Sequence, residues 1–225
     1  MIHTYLIKFK NQIRFNEIPL FRGAVINALP SDSSVLFHNH TQESGFVYRY
    51  PYIQYKRING KAAIFCISDG IDAISEFFQN KPQTLNLGDN QITTDIESIS
   101  PRQLLLQTWN QEFYYHLRKW VALNSENYKQ YLEIESLTDR ITFLERILIG
   151  NLLSFAKGLN VEITNEITCK ITQMDEPRMY RIKGVKIMGF DLEFKTNMYL
   201  PDFMGLGKHV SIGYGMVTNM KKENN

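Results

Sequence analysis

Cysteine is scarce: the 225 residues hold two, Cys66 and Cys169, far apart and with no CxxC pair. This excludes a disulfide framework and the usual zinc-ribbon ligand sets, and the apolar, strand-like surroundings of both predict buried free thiols in a reducing compartment. An apolar run long enough to cross a bilayer is also missing, since the longest one, ILIGNLLSFA, is interrupted by Asn151. The first residues, MIHTYLIKF, lack the charged-then-apolar order of a secretion signal and read as a first strand. A soluble, cytoplasmic protein with no membrane partner is therefore expected. Charge of one sign is absent too: 25 Lys and Arg against 23 Asp and Glu leave a formal charge of +2. Net charge thus gives no argument for a nucleic-acid partner, and any basic surface must arise by clustering. There is no short internal repeat and no low-complexity tract. What remains, at 44% hydrophobic and 21% charged residues, is an ordinary folded chain with enough length for one large domain or two small ones.

The order of elements favours two. Residues 2–9 alternate as a strand, and a helix entered at Pro19 spaces Leu20, Phe21, Ala24, Val25 and Ala28 along one face before Pro30 stops it. FVYRYPYIQYKRINGKAAIFCIS, residues 46–68, reads as two strands joined at Asn59-Gly60, a dipeptide that tolerates the two positive φ angles of a tight hairpin. Pro51 marks an edge or an irregular portion of the first of them. A second helix starts near Ser68 to Gly70, with Ile71, Ile74, Phe77 and Phe78 inward, and the polar segment 82–101 is left to close the unit with a strand. Strand, helix, strand, strand, helix, strand is the split βαβ, ferredoxin-like order. The second half repeats it less clearly. FYYHLRKWVAL (113–123) is read as a strand, a helix starts at Ser136 with Leu137, Ile141, Leu144, Leu148, Leu152 and Phe155 in one stripe, and Gly158 ends it. Segments 161–173 and 179–199 read as strands, and a last strand runs from about Tyr214 to Met220. The expected fold is α+β, two tandem ferredoxin-like units with antiparallel sheets, divided as 1–101 and 102–225.

Two segments carry chemistry. GLGKHVSIGYG, residues 205–215, has four glycines, a lysine and a histidine. It does not match a dinucleotide fingerprint, whose spacing differs and which needs a following helix and strand. Nor is it a phosphate loop of the nucleotide-hydrolysing kind, because Asp202 and His209 stand where Gly and Ser or Thr are required. Two readings remain open: a loop whose amide N–H groups form a concavity for anions, with Lys208 adding charge, or a ligand-free turn between strands. FHNH, residues 37–40, places His38 and His40 two apart, so on an extended backbone both imidazoles share a side with Cα atoms ~6.6 Å apart, at roughly 3.3 Å per residue. Such a pair can act as acid and base on one phosphate, since imidazole titrates near neutral pH. Two other readings also stand, a surface pair without a role and a metal site, although only Glu43 is near enough to add a ligand. Tyr48 is a candidate donor to the phosphate. Arg49, Lys56, Arg57 and Lys61 form a basic cluster interleaved with Tyr48, Tyr50, Tyr52 and Tyr55, which suits looped or single-stranded RNA if the rings are exposed for stacking. Arg178, Arg181, Lys183 and Lys186 make a second basic stripe.

The form of 205–215 is Gly-hydrophobe-Gly, five residues, Gly-hydrophobe-Gly, near the end of a chain read as two ferredoxin-like units. It resembles the glycine-rich loop of the CRISPR-associated endoribonucleases that cut precursor CRISPR RNA within its repeats. WVALNSENY (120–128), ILIGNLLSFAKGL (147–159), FKTNMYLPDFMGLGKHVSIGYG (194–215) and YPYIQYK (50–56) are similar to one subgroup of that family. The resemblance implies cleavage without a metal or cofactor, leaving a 5′-hydroxyl and a 2′,3′-cyclic phosphate. It implies that His38 and His40 are the catalytic pair, to which the reading of the residues adds Tyr48 as a candidate donor. It further implies that the glycine loop contacts RNA, through Gly205, Gly207, Lys208, His209, Gly213 and Gly215, and the basic cluster adds Arg49, Lys56 and Arg57 as candidates beside it. The expected partner is CRISPR repeat RNA, with a CRISPR effector complex and a second copy of the chain as further candidates. The alternative is a repeat-RNA-binding subunit of such a complex that does not cut.

Overall fold

The computed structural model describes residues 1–29, 40–41, 45–46, 50–80 and 83–220. By their internal contacts these form two units. Met1–Leu105 together with Ser211–Gly213 make the first, and Leu106–Val210 with the chain from Tyr214 onward make the second.

The first unit begins with β1 (Ile2–Gln12), α1 (Ile18–Asn27) and two short strands, β2 (His40–Thr41) and β3 (Gly45–Phe46), paired with each other. Next come β4 (Ile53–Ile58), β5 (Lys61–Ile67) and α2 (Asp69–Gln79). A hairpin of β6 (Thr84–Leu87) and β7 (Asn90–Thr93) precedes the closing β8 (Ile96–Leu104). The sheet order is β4-β5-β1-β8 with every pair antiparallel, the ferredoxin-like arrangement expected from the element order. Asn59 and Gly60 carry the β4–β5 turn at φ 50° and 84°, the two positive angles that a two-residue turn imposes. Pro51 lies just before β4, itself an edge strand, so the amide it lacks is not required by the ladder. Both helices pack on one sheet face, where Phe9, Phe21, Ile64 and Phe77 form the core. Leu20 departs from its expected place: it is 46% exposed, while Ile18 at the helix entrance is buried instead.

The second unit runs β9 (Thr108–Trp120), α3 (Ser125–Glu133), α4 (Leu137–Gly158), β10 (Cys169–Met174), β11 (Arg178–Ile182), β12 (Val185–Met198) and β13 (Met216–Asn219). Its order, β10-β12-β9-β13, repeats that of the first unit strand for strand, and β11 is an addition paired to the first part of β12. α4 starts as its sequence predicts: the Ser136 hydroxyl accepts from the Asp139 amide at 3.4 Å, and Leu144, Leu148, Leu152 and Phe155 are buried along one stripe. α3 was not anticipated from the sequence. The expected strand over 161–173 is shorter in fact, since regular pairing starts only at Cys169. Both cysteines are free and buried. Among the described residues no helix is long and apolar enough to cross a membrane.

Candidate functional site

His38, Tyr48 and Arg49 lie outside the described residues, and the geometry of the predicted histidine pair lies there with them. His40 opens β2, opposite Phe46 of β3. The other expected site residues are carried by β4, by its turn into β5 and by the glycine segment.

In β4 the alternation of the strand divides the expected RNA-facing residues. Tyr55 points into the core, where its ring meets Phe21 edge-on at 5.7 Å and burial pushes its phenol pKa up. Tyr52 is buried as well, and the Tyr50 hydroxyl accepts from Gln54 Nε2 at 2.9 Å. The proposed platform of stacked tyrosines therefore fails at Tyr52 and Tyr55, because an inward ring has no face to offer a base. Gln54 and Lys56 lie on the opposite sheet face from the helices, both fully buried. Removing the Lys56 ammonium from water lowers its pKa from 10.5 to about 7. Arg57 is exposed and donates from Nε to the Ile13 carbonyl at 2.7 Å, which fixes its stem close to the hairpin. Lys61 pairs with Glu97 at 2.7 Å.

The glycine segment has a different physical origin from the one its sequence suggests. Gly205, Gly213 and Gly215 are buried. The Lys208 amide donates to the Val121 carbonyl at 3.0 Å, Leu206 to Gly215 at 2.8 Å, and Gly215 to Lys119 at 3.0 Å. These three N–H groups are thus engaged by the protein's own backbone and do not form an open concavity. Gly207 and Gly215 sit at φ 85° and 62°, where an L side chain is strained. A Cβ on Gly207 would lie 2.7 Å from the Val121 carbonyl oxygen, and one on Gly215 would fall onto the carbonyl oxygen of Leu206. Gly207 is therefore required for the segment to approach Trp120 and Val121 closely, and Gly215 for it to cross over itself. What faces outward is Lys208, exposed, and His209, half-buried.

A line of side chains backs this segment. The Lys119 ammonium lies 5.3 Å over the Tyr180 ring, Tyr180 meets Tyr214 edge-on at 5.7 Å, and Tyr214 meets His209 at 6.1 Å. Tyr180 takes its place because residue 189, close to it on β12, is glycine: a Cβ there would approach the ring to 2.7 Å. Lys119 itself occupies a bulge of β9 with φ 51°, held by the Asp191 carboxylate, which accepts its amide hydrogen. Burial, then the positive charges of Lys208 and Lys183, hold the His209 imidazole below its usual pKa, so it is neutral at pH 7. Sequence reasoning missed Lys119, Tyr180 and Tyr214. The only signal was Gly189 inside a strand pattern, which marks a close approach without saying by what.

Residues 1–104 match the model of the Cas6b N-terminal domain and residues 107–220 that of the Cas6b C-terminal domain. The crystal structure of Cas6b is 28% identical and superposes with a TM-score of 0.88, over 98% of this chain and 100% of that one. The crystal structure of CRISPR RNA processing endoribonuclease Cas6b is 25% identical with a TM-score of 0.74, over the same shares of the two chains. An uncharacterized protein of Methanocaldococcus jannaschii is 32% identical over 109 residues, 48% of this chain and 73% of the relative.

Proposed function

Since the chain belongs to the Cas6b family, matched in both of its domains and in order, we propose that it is an endoribonuclease that cuts CRISPR repeat RNA within precursor transcripts. The observation carrying this reading is the whole-length likeness to CRISPR RNA processing endoribonuclease Cas6b. In the proposed reaction one imidazole of the FHNH pair takes the proton of a ribose 2′-hydroxyl. The freed oxygen attacks the adjacent phosphorus, the bond to the 5′-oxygen breaks, and the second imidazole protonates that leaving oxygen. The products are a 2′,3′-cyclic phosphate and a 5′-hydroxyl, and no metal is needed, because two groups titrating near neutrality cover both proton transfers. Tyr48 stabilises charge on the phosphate by donating a hydrogen bond. Lys208 and His209, carried outward by the glycine crossing, hold the strand, with Arg49 and Arg57 adding charge; Lys56, being fully buried, is out of the strand's reach.

Purified protein incubated with repeat RNA in EDTA is expected to give the two product ends, and His38→Ala/His40→Ala to bind RNA without cutting it. A 2′-deoxy sugar before the scissile phosphate is expected to block the reaction, and cleavage that persisted on that substrate would refute the mechanism. Tight binding of repeat RNA with no cleavage by the wild type would instead identify a binding subunit.

A further inference from the structure

A groove of about 650 Å³ opens in the second unit, within the range of about 300–1,000 Å³ found for small-ligand sites. One wall is β12 from Val185 to Met188, the stretch paired on one side with β11 and lying before the point where pairing with β9 starts, at Phe190. Among the described residues no strand pairs with that second edge, so it presents main-chain donors and acceptors to the groove. The groove is also lined by the start of α3, with Ser125, Tyr128 and Lys129, and by Lys208 and His209.

Two features define what fits. The first is apolar surface kept in water: Met179 is 52% exposed and Val185 60%, both at the groove beside the buried Val121 and Leu123. The second is charge of one sign. Lys129, Lys186 and Lys208 line the groove, all exposed, and among the described residues no carboxylate does. A ligand that satisfies both has a flat body with polar edges and an anionic tether. We infer that this groove takes an unpaired nucleotide of a bound RNA, its base lying against Met179 and Val185, its edge read by the open backbone of β12, and its phosphate held between Lys129 and Lys186. The base must be unpaired, since only then are its face and its pairing edge both free. An acidic peptide meets the charge but has no use for the exposed Met179 and Val185. Continuity favours RNA as well, because Lys208 and His209 belong both to this groove and to the segment proposed to hold the strand; the inference rests on that reading of the chain as an RNA-binding protein.

The test uses a short single-stranded oligoribonucleotide carrying 4-thiouridine, cross-linked to the full chain and mapped by mass spectrometry. Adducts are expected on residues 179–188 and 121–129. Lys129→Glu/Lys186→Glu, both on exposed side chains, is expected to remove these adducts and lower affinity at least about tenfold, with the slope of log affinity against log salt reduced by about 0.7 for the one lost phosphate contact. Lys10→Glu/Lys157→Glu changes net charge equally at exposed positions that do not line the groove and is expected to stay within about twofold of wild type. Adducts confined to other residues, an equal loss in the control pair, or no binding of the oligonucleotide would overturn the inference. So would displacement of the bound oligonucleotide by a polyglutamate peptide at equal concentration. Cleavage of repeat RNA by the wild type is scored in the same preparations. Groove adducts without cleavage refute the proposed activity and leave the groove standing, whereas cleavage without groove adducts refutes the groove alone.

Discussion

Lys56 is a charge carrier with no access to water in the middle of an edge strand, and its burial sets a testable pH dependence. Its folded pKa of about 7 lies below the ordinary 10.5 of the unfolded chain. Between these values the unfolded state binds the extra proton, so stability rises with pH from about 7 to about 10, and below 7 the folded protein carries the full cost of the buried ammonium. Lys56→Met is expected to stabilise the protein by about 1–4 kcal/mol at pH 6, in line with apolar replacement of buried charges, and to flatten the rise at high pH. Chemical denaturation of both proteins at pH 6 and pH 9 measures this. An equal rise with pH in the variant would remove Lys56 as its source. The cost of replacing a glycine is equally local. Gly215→Ala is expected to cost at least about 2 kcal/mol, from a strained φ and the collision with Leu206, and to do so in a melt without any RNA present. At this scale the sequence told where glycine was indispensable but left open whether for an anion or for a turn, because a residue count cannot show which carbonyls the neighbouring amides will find. Tyr55 was legible as a strand aromatic, and it is inward because it shares a face with Ile53 in an alternation whose other face carries Gln54 and Lys56.

At the scale of elements, the Asn59-Gly60 hairpin was the clearest to read, whereas 179–199 was read only as strand-forming and its turn was not identified. Asn59-Gly60 announces its turn by composition, and Lys183-Gly184 adopts the same pair of positive φ angles, 48° and 82°, in the β11–β12 turn. The segment 161–168, VEITNEIT, alternates as a strand does and yet is not one. β12 ends at Met198, so the chain before Cys169 has almost no partner strand left. The Asn197 side chain substitutes for one, accepting from the Thr168 amide at 2.9 Å and donating to the Glu166 carbonyl at 3.0 Å. Alternation predicts the capacity for a ladder, and the length of the partner decides whether it forms. α3 was missed for the opposite reason: SENYKQYLE buries only Tyr131, and its signal is the cap, where Asn124 Oδ1 accepts from the Asn127 amide at 2.7 Å. Glu145 of α4 ties helix to sheet, accepting from Lys170 Nζ at 2.8 Å and from the Ile171 amide at 3.0 Å while itself buried. Glu145→Ala is expected to cost about 1.5–3 kcal/mol, as for the loss of hydrogen bonds to a charged group. Hydrogen exchange should show the Ile171 amide of β10 losing protection before the centre of β12 does.

For the molecule as a whole, the strand order of the first unit was visible in the sequence because strand and helix patterns alternate there in the ferredoxin-like succession, while the second half showed it less clearly, since the glycine segment and no α-helix lies between β12 and β13. A single chain segment departs from that division: Ser211–Gly213, late in sequence, takes its contacts from the first unit. Ile212 packs on that unit's core, and a Cβ on Gly213 would come within 2.7 Å of Ile18. Ile212→Ala in the intact chain is expected to cost about 1–2 kcal/mol for a partly buried side chain. The loss should appear in the exchange rates of β1 and β5 while α4 keeps its protection; a loss confined to α4 would contradict the assignment. The late position of these residues also bears on biosynthesis. The ribosome releases the first hundred residues early, but three positions that complete their packing are translated only after the second unit's helices and most of its strands. The earlier half must therefore wait, nearly formed and lacking its last contacts, until the nascent polypeptide is almost finished.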